Sequence, residues 1–125
     1  MATTTKLIPI YTSRGEVKAF LAYPYLFNPR GEWIGWVNPD RRVYSVFGHF
    51  AGEMSSEPRI LRKRESTHSE PRKKPIPAPP PIRPPQSVPL APMMREIPQN
   101  LIDVLDEAPE LLPPEGHGEF QEDLD

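Results

Sequence analysis

A short pattern that occurs three times between residues 10 and 54 constrains the fold of this 125-residue chain more than any other feature. Each copy begins with an aliphatic residue and then an aromatic one, and a glycine lies four residues after the aromatic. A small residue follows that glycine by four positions, and an apolar residue lies two positions further on. The copies cover residues 10–21, 26–37 and 43–54. Their regular spacing indicates one structural unit that is built three times.

Each copy has the composition of a β-hairpin, because two runs of aromatic and aliphatic residues flank a group of turn-forming residues. The turns of the first two copies are expected at residues 13–15 and 28–31. Glycine adopts the positive φ that such a turn requires, whereas a side chain opposes it. The structural turn glycines are Gly15, Gly31 and Gly48.

Side-chain alternation along the second copy suggests which residues share a face of the sheet. It places Trp33, Gly35 and Val37 on one face and Ile34 and Trp36 on the other. Both faces are therefore partly apolar, and we expect both to be covered. The small residue in each second strand is expected to allow a neighbouring strand or ring to approach closely.

An isolated hairpin is marginally stable in water, so each copy has to bury a face against its neighbours. Ile60 and Leu61 are suitable for the start of a fourth copy, although no glycine turn follows them. The alternative is that residues 6–9 and 59–62 pair with each other and close the domain from its two ends. In either case, residues 6–62 are predicted to form a small antiparallel all-β domain of repeated hairpins.

The tandem hairpins, with Tyr or Phe before each glycine turn and Gly-Trp or Ala-Gly-Glu in the return strand, resemble the bacterial four-fold β-flower proteins. A basic, proline-rich extension after an Ile-Leu-Arg-Lys-Arg run adds to the resemblance, which covers about residues 7–64. The resemblance implies four hairpins around a central axis. It implies no established activity and carries no catalytic residue over to this chain.

The rest of the chain differs in composition, since 14 of its 19 prolines lie after residue 70. We therefore predict a long disordered Pro-rich tail. The predicted segments are a disordered lead over 1–5, the hairpin-repeat β domain over 6–62, a basic linker over 63–74, a Pro-rich spacer over 75–98, a short amphipathic helix over 99–109 and an acidic disordered tail over 110–125. The sequence has no membrane-length apolar run and no recognisable leader, so a cytoplasmic location is the default expectation.

Residues 59–74 are rich in lysine and arginine and contain no aromatic residue. A solvated linker is the simpler interpretation. The alternative is an arm that binds nucleic acid or another polyanion weakly through its charges. The residues that would make these contacts are Arg59, Arg62, Lys63, Arg64, Arg72, Lys73 and Lys74.

Nine of the 18 residues in 75–92 are proline, a composition that favours polyproline II and excludes a helix or an interior strand. A spacer is again the simpler interpretation. The alternative is a ligand for a proline-recognition domain of the SH3 type, because a Pro-x-x-Pro motif with an adjacent arginine is present. The motif residues are Pro81, Arg83 and Pro84.

Outside the repeats, one stretch has a helical pattern: Leu101, Val104, Leu105 and Ala108 have the spacing of a single helix face. A helix of this length is unstable alone, so it either docks on its own β domain or folds on a partner. The predicted partner-binding residues are Leu101, Val104 and Leu105.

No group of residues has the spacing of a catalytic or metal site. The aromatic residues between 23 and 36 are predicted to be core, with a binding surface as the alternative. We therefore predict a non-enzymatic protein-interaction module without cofactors or a membrane partner. Its β-repeat head, Pro-rich tail and short helical ligand would bind an unidentified protein. Weak nucleic-acid or polyanion association through residues 59–74 is the alternative function.

Overall fold

The computed structural model describes residues 7–64, 72–80 and 82–114. These residues form one antiparallel sheet of eight strands, paired in chain order and curled like half a barrel. The strands are β1 (Ile8–Tyr11), β2 (Val17–Ala22), β3 (Tyr25–Phe27), β4 (Trp33–Val37), β5 (Arg42–Ser45), β6 (Phe50–Met54), β7 (Ile60–Lys63) and β8 (Leu101–Asp103). A helix, α1 (Val104–Glu107), and a 3₁₀ turn (Pro109–Leu111) follow β8. The all-β fold predicted from the sequence is confirmed.

Each of the three predicted copies is a hairpin, and the hairpins share one irregularity. In the second hairpin, Leu26 pairs with Gly35, whereas the next residue, Phe27, pairs with Trp33. Ile34 is therefore an extra residue in β4, and it makes a β-bulge. The register shifts at the same repeat position in the first and third hairpins.

The bulge changes which residues of β4 share a face. Trp33 and Trp36 pack in one buried cluster, and Ile34 and Val37 pack in another. Strict alternation predicts Trp36 on the face of Ile34, and this prediction is wrong because the extra residue shifts the register by one. Both tryptophans consequently lie on one face of the sheet.

The fourth pair of strands joins residues that are far apart in the chain. β7 pairs with β8, so that Leu61 lies opposite Asp103 and Lys63 lies opposite Leu101. The prediction that a fourth copy starts at Ile60 is thus confirmed for its first strand. The alternative pairing of residues 6–9 with 59–62 is wrong, because β6 and β8 occupy the two sides of β7. The return strand also places β structure after residue 65, where the sequence predicted none.

The curl of the sheet brings the first hairpin to the fourth pair of strands. The N–H of Tyr11 donates to the carbonyl oxygen of Pro58 at 2.7 Å. Ser13 donates from both its N–H and its hydroxyl to one carboxylate oxygen of Asp103, which is 1% exposed. The buried guanidinium of Arg59 donates to the Ser13 hydroxyl at 2.9 Å. The first turn, β7 and β8 are therefore held together by buried polar groups.

Both faces of the curled sheet are covered, as the sequence predicted. One face is aliphatic, and Val104, Leu105 and Leu112 cover it from the chain that follows β8. The other face is aromatic, and Ile76 and Ile82 of the proline-rich segment pack against it. Residues predicted to be a spacer, and residues predicted to be a helix that docks on the head or folds on a partner, are thus parts of the fold.

Small residues in the second strands allow neighbouring strands to approach closely, as predicted. A Cβ added to Gly35 would lie 2.2 Å from the carbonyl oxygen of Tyr44. A Cβ added to Gly52 would lie 2.7 Å from the carbonyl oxygen of Leu61. Main-chain atoms of the next strand therefore occupy the space that a side chain would need.

We expect Gly35→Ala to lower the free energy of unfolding by about 2 kcal/mol, because its methyl group would collide with the main chain of β5. The equivalent residue of the first hairpin is Ala19, so Ala19→Gly is a matched control that should cost about 1 kcal/mol or less. Urea unfolding of the three proteins measures both losses. Equal losses would contradict the close approach of β5 to Gly35.

Candidate functional site

The three hairpin turns lie at the same end of the sheet and are built alike. Each begins with a polar residue, and these residues are Thr12, Asn28 and Ser45. The side-chain oxygen accepts hydrogen bonds of 2.9 to 3.3 Å from the N–H groups two and four residues further on. The turn glycines have φ between 85° and 89°, which confirms their predicted role. Sequence reasoning missed the polar residues, although each directly follows the repeat aromatic.

The proline-rich segment crosses these turns in the reverse of their chain order. We call residues 72–80 and 82–98 the belt. At the third hairpin, the N–H of Lys73 donates to the carbonyl oxygen of Gly48 at 2.8 Å. At the second, the N–H of Ile82 donates to the carbonyl oxygen of Gly31 at 3.3 Å. The belt therefore binds the head through main-chain groups on both sides.

The belt continues to the first hairpin, and the chain directly after it contacts the end of β7. The Cβ of Ala91 lies 3.6 Å from the position that a Cβ of Gly15 would take. The N–H of Arg64 donates to the carbonyl oxygen of Asn100 at 2.7 Å. Successive contacts, at residues 64, 73, 82, 91 and 100, are nine residues apart. Since polyproline II has three residues per turn, residues nine apart lie on the same side of such a chain.

The main chain of the belt occupies space beside two of the turn glycines. A Cβ at Gly31 would lie 2.1 Å from the carbonyl oxygen of Ile82. A Cβ at Gly48 would lie 1.9 Å from the carbonyl oxygen of Lys73. These glycines therefore serve two purposes, since they adopt the left-handed turn conformation and leave room for the belt.

Burial along the belt repeats every third residue, which is the period of polyproline II. The half-buried residues of this row are Ile76, Pro79, Ile82, Val88, Ala91, Met94 and Ile97. The row is interrupted once, where Pro84 rather than Pro85 is half-buried. The described residues of 75–98 contain neither helix nor strand, as predicted, but one row of them contacts the head. The spacer interpretation missed this contact.

The surface beneath the belt is aromatic. Phe27, Trp33 and Trp36 are at most 7% exposed, which confirms that they belong to the core. The rings of Trp36 and Tyr44 stack with their centroids 5.5 Å apart. Tyr23 is 59% exposed in the loop between β2 and β3, so the prediction that it belongs to the core is wrong. An aromatic floor with main-chain acceptors along its edge is a suitable surface for a polyproline II chain.

A carboxylate in the β6–β7 loop holds the end of the belt. Glu57 accepts hydrogen bonds from the N–H of Arg95 at 3.0 Å and from the guanidinium of Arg59 at 2.6 Å. Arg59 also donates to the carbonyl oxygen of Arg95 at 2.8 Å. The Arg95 N–H, together with the Arg59 side chain, holds the pKa of Glu57 below its usual value of 4.5, and partial burial only partly opposes this. A cavity of about 290 Å³ lies between these groups and Ile97.

Only some of the residues predicted to bind a polyanion are exposed in the structure. Arg59 is only 3% exposed, so the prediction that it belongs to an open arm is wrong, because its guanidinium ties the belt to β7. Arg62 is half-buried. Arg64 pairs with Glu107 at 3.5 Å. The exposed residues of the set are Lys63, Arg64, Arg72, Lys73 and Lys74, and residues 65–71 of the predicted arm lie outside the described residues.

The residues predicted to bind a partner through a helix belong to this protein's own core. Val104 is 0% and Leu105 6% exposed, and Leu101 is half-buried in β8. The prediction of one helix over 99–109 is wrong, because residues 101–103 pair with β7 and leave only four residues for α1. The free edge of β7 offers hydrogen bonds that a helix at this position would leave unmade.

The predicted proline-recognition motif is also partly occupied within the chain. The Cδ of Pro84 lies 3.3 Å from the position of a Cβ on Gly31. Arg83 is exposed, and Pro81 lies outside the described residues. A recognition domain would therefore have to compete with the second hairpin for Pro84.

Other features of the described residues add no further site. His49 is exposed beside Gly48, as expected for a turn residue, whereas His68 and His117 lie outside the described ranges. Among the described residues, no cluster of three or more acidic or histidine side chains could hold a metal ion. Nor does any helix among the described residues have the length and apolarity to cross a membrane.

Comparison with known proteins does not assign the chain to a family. No family model, curated protein or solved structure gives a significant match. The resemblance to the β-flower proteins therefore stays a prediction. The belt and the surface beneath it are the basis for a functional proposal.

Alanine substitutions at the turn glycines test the belt contacts. Gly15→Ala should lower the free energy of unfolding by about 1–2 kcal/mol, which is the penalty for an alanine in the left-handed conformation. No further loss is expected, because the added methyl group would make only a normal van der Waals contact with Ala91. Gly48→Ala has the same backbone penalty but should cost about 1 kcal/mol more, since the belt must move away and lose the Lys73 hydrogen bond. Urea unfolding compares the two variants. Equal losses would contradict the contact at Gly48.

The lowered pKa of Glu57 predicts how stability depends on pH. A carboxylate with a lowered folded-state pKa adds stability that is complete above its usual pKa and is lost as the pH falls through the folded value. Stability should therefore decrease below the usual value of 4.5 as Glu57 is protonated. Urea unfolding between about pH 7 and about pH 3 should show a smaller decrease for Glu57→Gln than for the wild type. Parallel curves would rule out this role for Glu57.

Proposed function

We propose that this protein is a non-enzymatic protein-interaction module whose β head holds the belt in a fixed, extended form and presents its outward face to a protein partner. The burial pattern carries the proposal, because one row of the belt contacts the head while most residues of the other two rows are exposed. We assign partner binding to the belt instead of the predicted amphipathic helix, because the apolar residues of that helix pack inside the domain.

The outward face has an apolar pair on a segment that is anchored at both ends. Leu90 is 95% and Met93 100% exposed, and their separation of three residues places them on one ridge of a polyproline II helix. The hydroxyl of Tyr11 holds the carbonyl oxygen of Pro89 at 2.6 Å, and Glu57 holds the end of the belt. Exposed large apolar groups that lie together favour an interaction surface. A segment that is already ordered loses less entropy on binding than a free one.

Substitution of the apolar pair tests this function. We expect Leu90→Ser/Met93→Ser to reduce the recovery of protein partners from a lysate of the source organism by about tenfold, because both exposed apolar anchors are lost. The matched control is Gln86→Ala/Ser87→Ala, which changes two exposed polar residues of the same belt. Quantitative mass spectrometry measures recovery, and urea unfolding checks that both variants keep the wild-type stability. Equal recovery by all three proteins would contradict the proposal.

A second candidate function is weak association with single-stranded nucleic acid, and one contact favours it. The guanidinium carbons of Arg42 and Arg62 lie 5.5 and 5.7 Å from the centroid of the Phe50 ring. The basic region thus has an aromatic neighbour that its own sequence lacks. Nucleobases stack on aromatic rings and on arginine planes, while nearby lysines contact phosphates.

The salt dependence of binding to a single-stranded oligonucleotide tests this second function. Each phosphate contact contributes a slope of about −0.7 in the logarithm of affinity against the logarithm of salt concentration. Lys73→Gln/Lys74→Gln should therefore make the slope less steep by about 1.4 if both lysines contact phosphates. Lys18→Gln, which removes one charge from an exposed lysine of the first hairpin, is the control and should leave the slope unchanged. An unchanged slope in the double variant would exclude these lysines from such a site.

A further inference from the structure

The surface covered by the belt has the properties of a peptide-binding groove in its own right. Its floor contains Phe27, Trp33, Trp36 and Tyr44, which β3, β4 and β5 contribute without help from the belt. Ile76 and Ile82 of the belt are partly buried and pack against this aromatic cluster. Large apolar floors with a few fixed polar groups are typical of sites for extended peptides.

Most polar contacts of the groove recognise a main chain, and one belt side chain adds to them, since the guanidinium of Arg72 donates to the carbonyl oxygen of Phe47. The carbonyl oxygens of Gly31 and Gly48 accept from belt N–H groups, and the Tyr11 hydroxyl donates to a belt carbonyl oxygen. Any residue except proline supplies the required N–H. The ligand must therefore have a residue other than proline at the two donor positions, which are nine residues apart in the belt, whereas the carbonyl oxygen that accepts from Tyr11 belongs to a proline.

The row that faces the groove defines the rest of the ligand. Residues three apart in polyproline II lie on one ridge, and the inward ridge of the belt contains its isoleucines and its one valine, Ile76, Ile82, Val88 and Ile97. Proline elsewhere keeps the chain extended before it binds, so little entropy is lost on docking. The head thus selects a period of three and not a single motif.

We infer that the groove is a binding site for proline-rich peptides in polyproline II conformation, with apolar residues along one row of period three and two amide donors nine residues apart. The belt is its resident ligand, and a separate peptide with the same pattern binds the groove when the belt lifts. This goes beyond the proposed function, which concerns the outward face. A tethered segment competes at an effective concentration on the order of millimolar, so the wild-type chain binds a separate peptide only weakly.

Removal of the belt's two amide donors should favour exchange. Lys73→Pro/Ile82→Pro keeps the extended conformation of the belt but deletes both hydrogen bonds to the glycine carbonyl oxygens. The probe is a fluorescently labelled peptide with the native sequence of residues 72–98. Anisotropy titration should show about thirtyfold tighter binding to this variant than to the wild-type chain, a factor that corresponds to about 2 kcal/mol. Equal binding to the two proteins would overturn the inference.

Three controls separate binding in the groove from other effects. Lys73→Ala/Ile82→Ala loses the same side chains but keeps both donors, so it should bind the peptide less tightly than the proline variant. Adding Gly48→Ala to the proline variant should weaken binding again, because a Cβ there meets the carbonyl oxygen of residue 73. A peptide in which Ile82 is exchanged with Arg83, and Val88 with Ser87, has the same composition, but its first two isoleucines and its valine lie on three different ridges and lack the period.

The native peptide should bind more tightly than this off-period peptide to every folded variant, including the wild type. That comparison keeps the inference testable if the proline variant does not fold. Equal affinity of the two peptides for the wild-type chain would overturn the period-three groove. Unchanged binding after Gly48→Ala would place the peptide elsewhere on the protein.

Discussion

The left-handed backbone at the turn glycines is the constraint on which the rest of the structure depends. It closes each hairpin, and it leaves a carbonyl oxygen and a bare Cα at the same end of the sheet. The belt uses both features, since its N–H groups bind the carbonyl oxygens of Gly31 and Gly48 and its own carbonyl oxygens lie where side chains would be. One local conformation therefore determines the hairpins and the path of the proline-rich segment.

The sheet and the segment that follows it depend on each other. The head alone has an aromatic and an aliphatic face, and a domain of about 60 residues has little spare burial with which to leave either exposed. The belt covers the aromatic face, and α1 with Leu112 covers the aliphatic one. β8 lies between the belt and α1 in the chain, and it pairs with the edge of β7 that β6 does not use. The long insertion between the last two strands is thus part of the domain.

Local sequence chemistry predicted the elements that local interactions determine. The hairpins, the turn glycines and the close-packed Gly35 and Gly52 follow from residue type and short spacing. The bulge at Ile34 could not be predicted in this way, because no turn residue marks it and only the pairing of β4 with β3 reveals it. β8 was missed because its partner strand lies some forty residues away, and its residues have a spacing that also suits a helix.

The belt was the largest omission, although the sequence contained the signal. Ile76, Ile82, Val88 and Ile97 are all separated by multiples of three, the period at which one ridge of polyproline II repeats. Proline content alone indicates an extended chain and says nothing about docking. The burial of Arg59 could not be predicted because its partners, Ser13 and Glu57, are brought to it by the curl of the sheet and the loop before β7.

Amide hydrogen exchange of the full chain, measured by NMR, tests the docking of the belt most directly. Exchange reports local opening, so an amide that donates within a docked segment exchanges more slowly than an exposed neighbour. The N–H groups of Lys73 and Ile82 should exchange at least about tenfold more slowly than those of Ala78 and Arg83, after correction for intrinsic rates. Equal corrected rates at all four positions would show that the belt is not bound to the turn glycines.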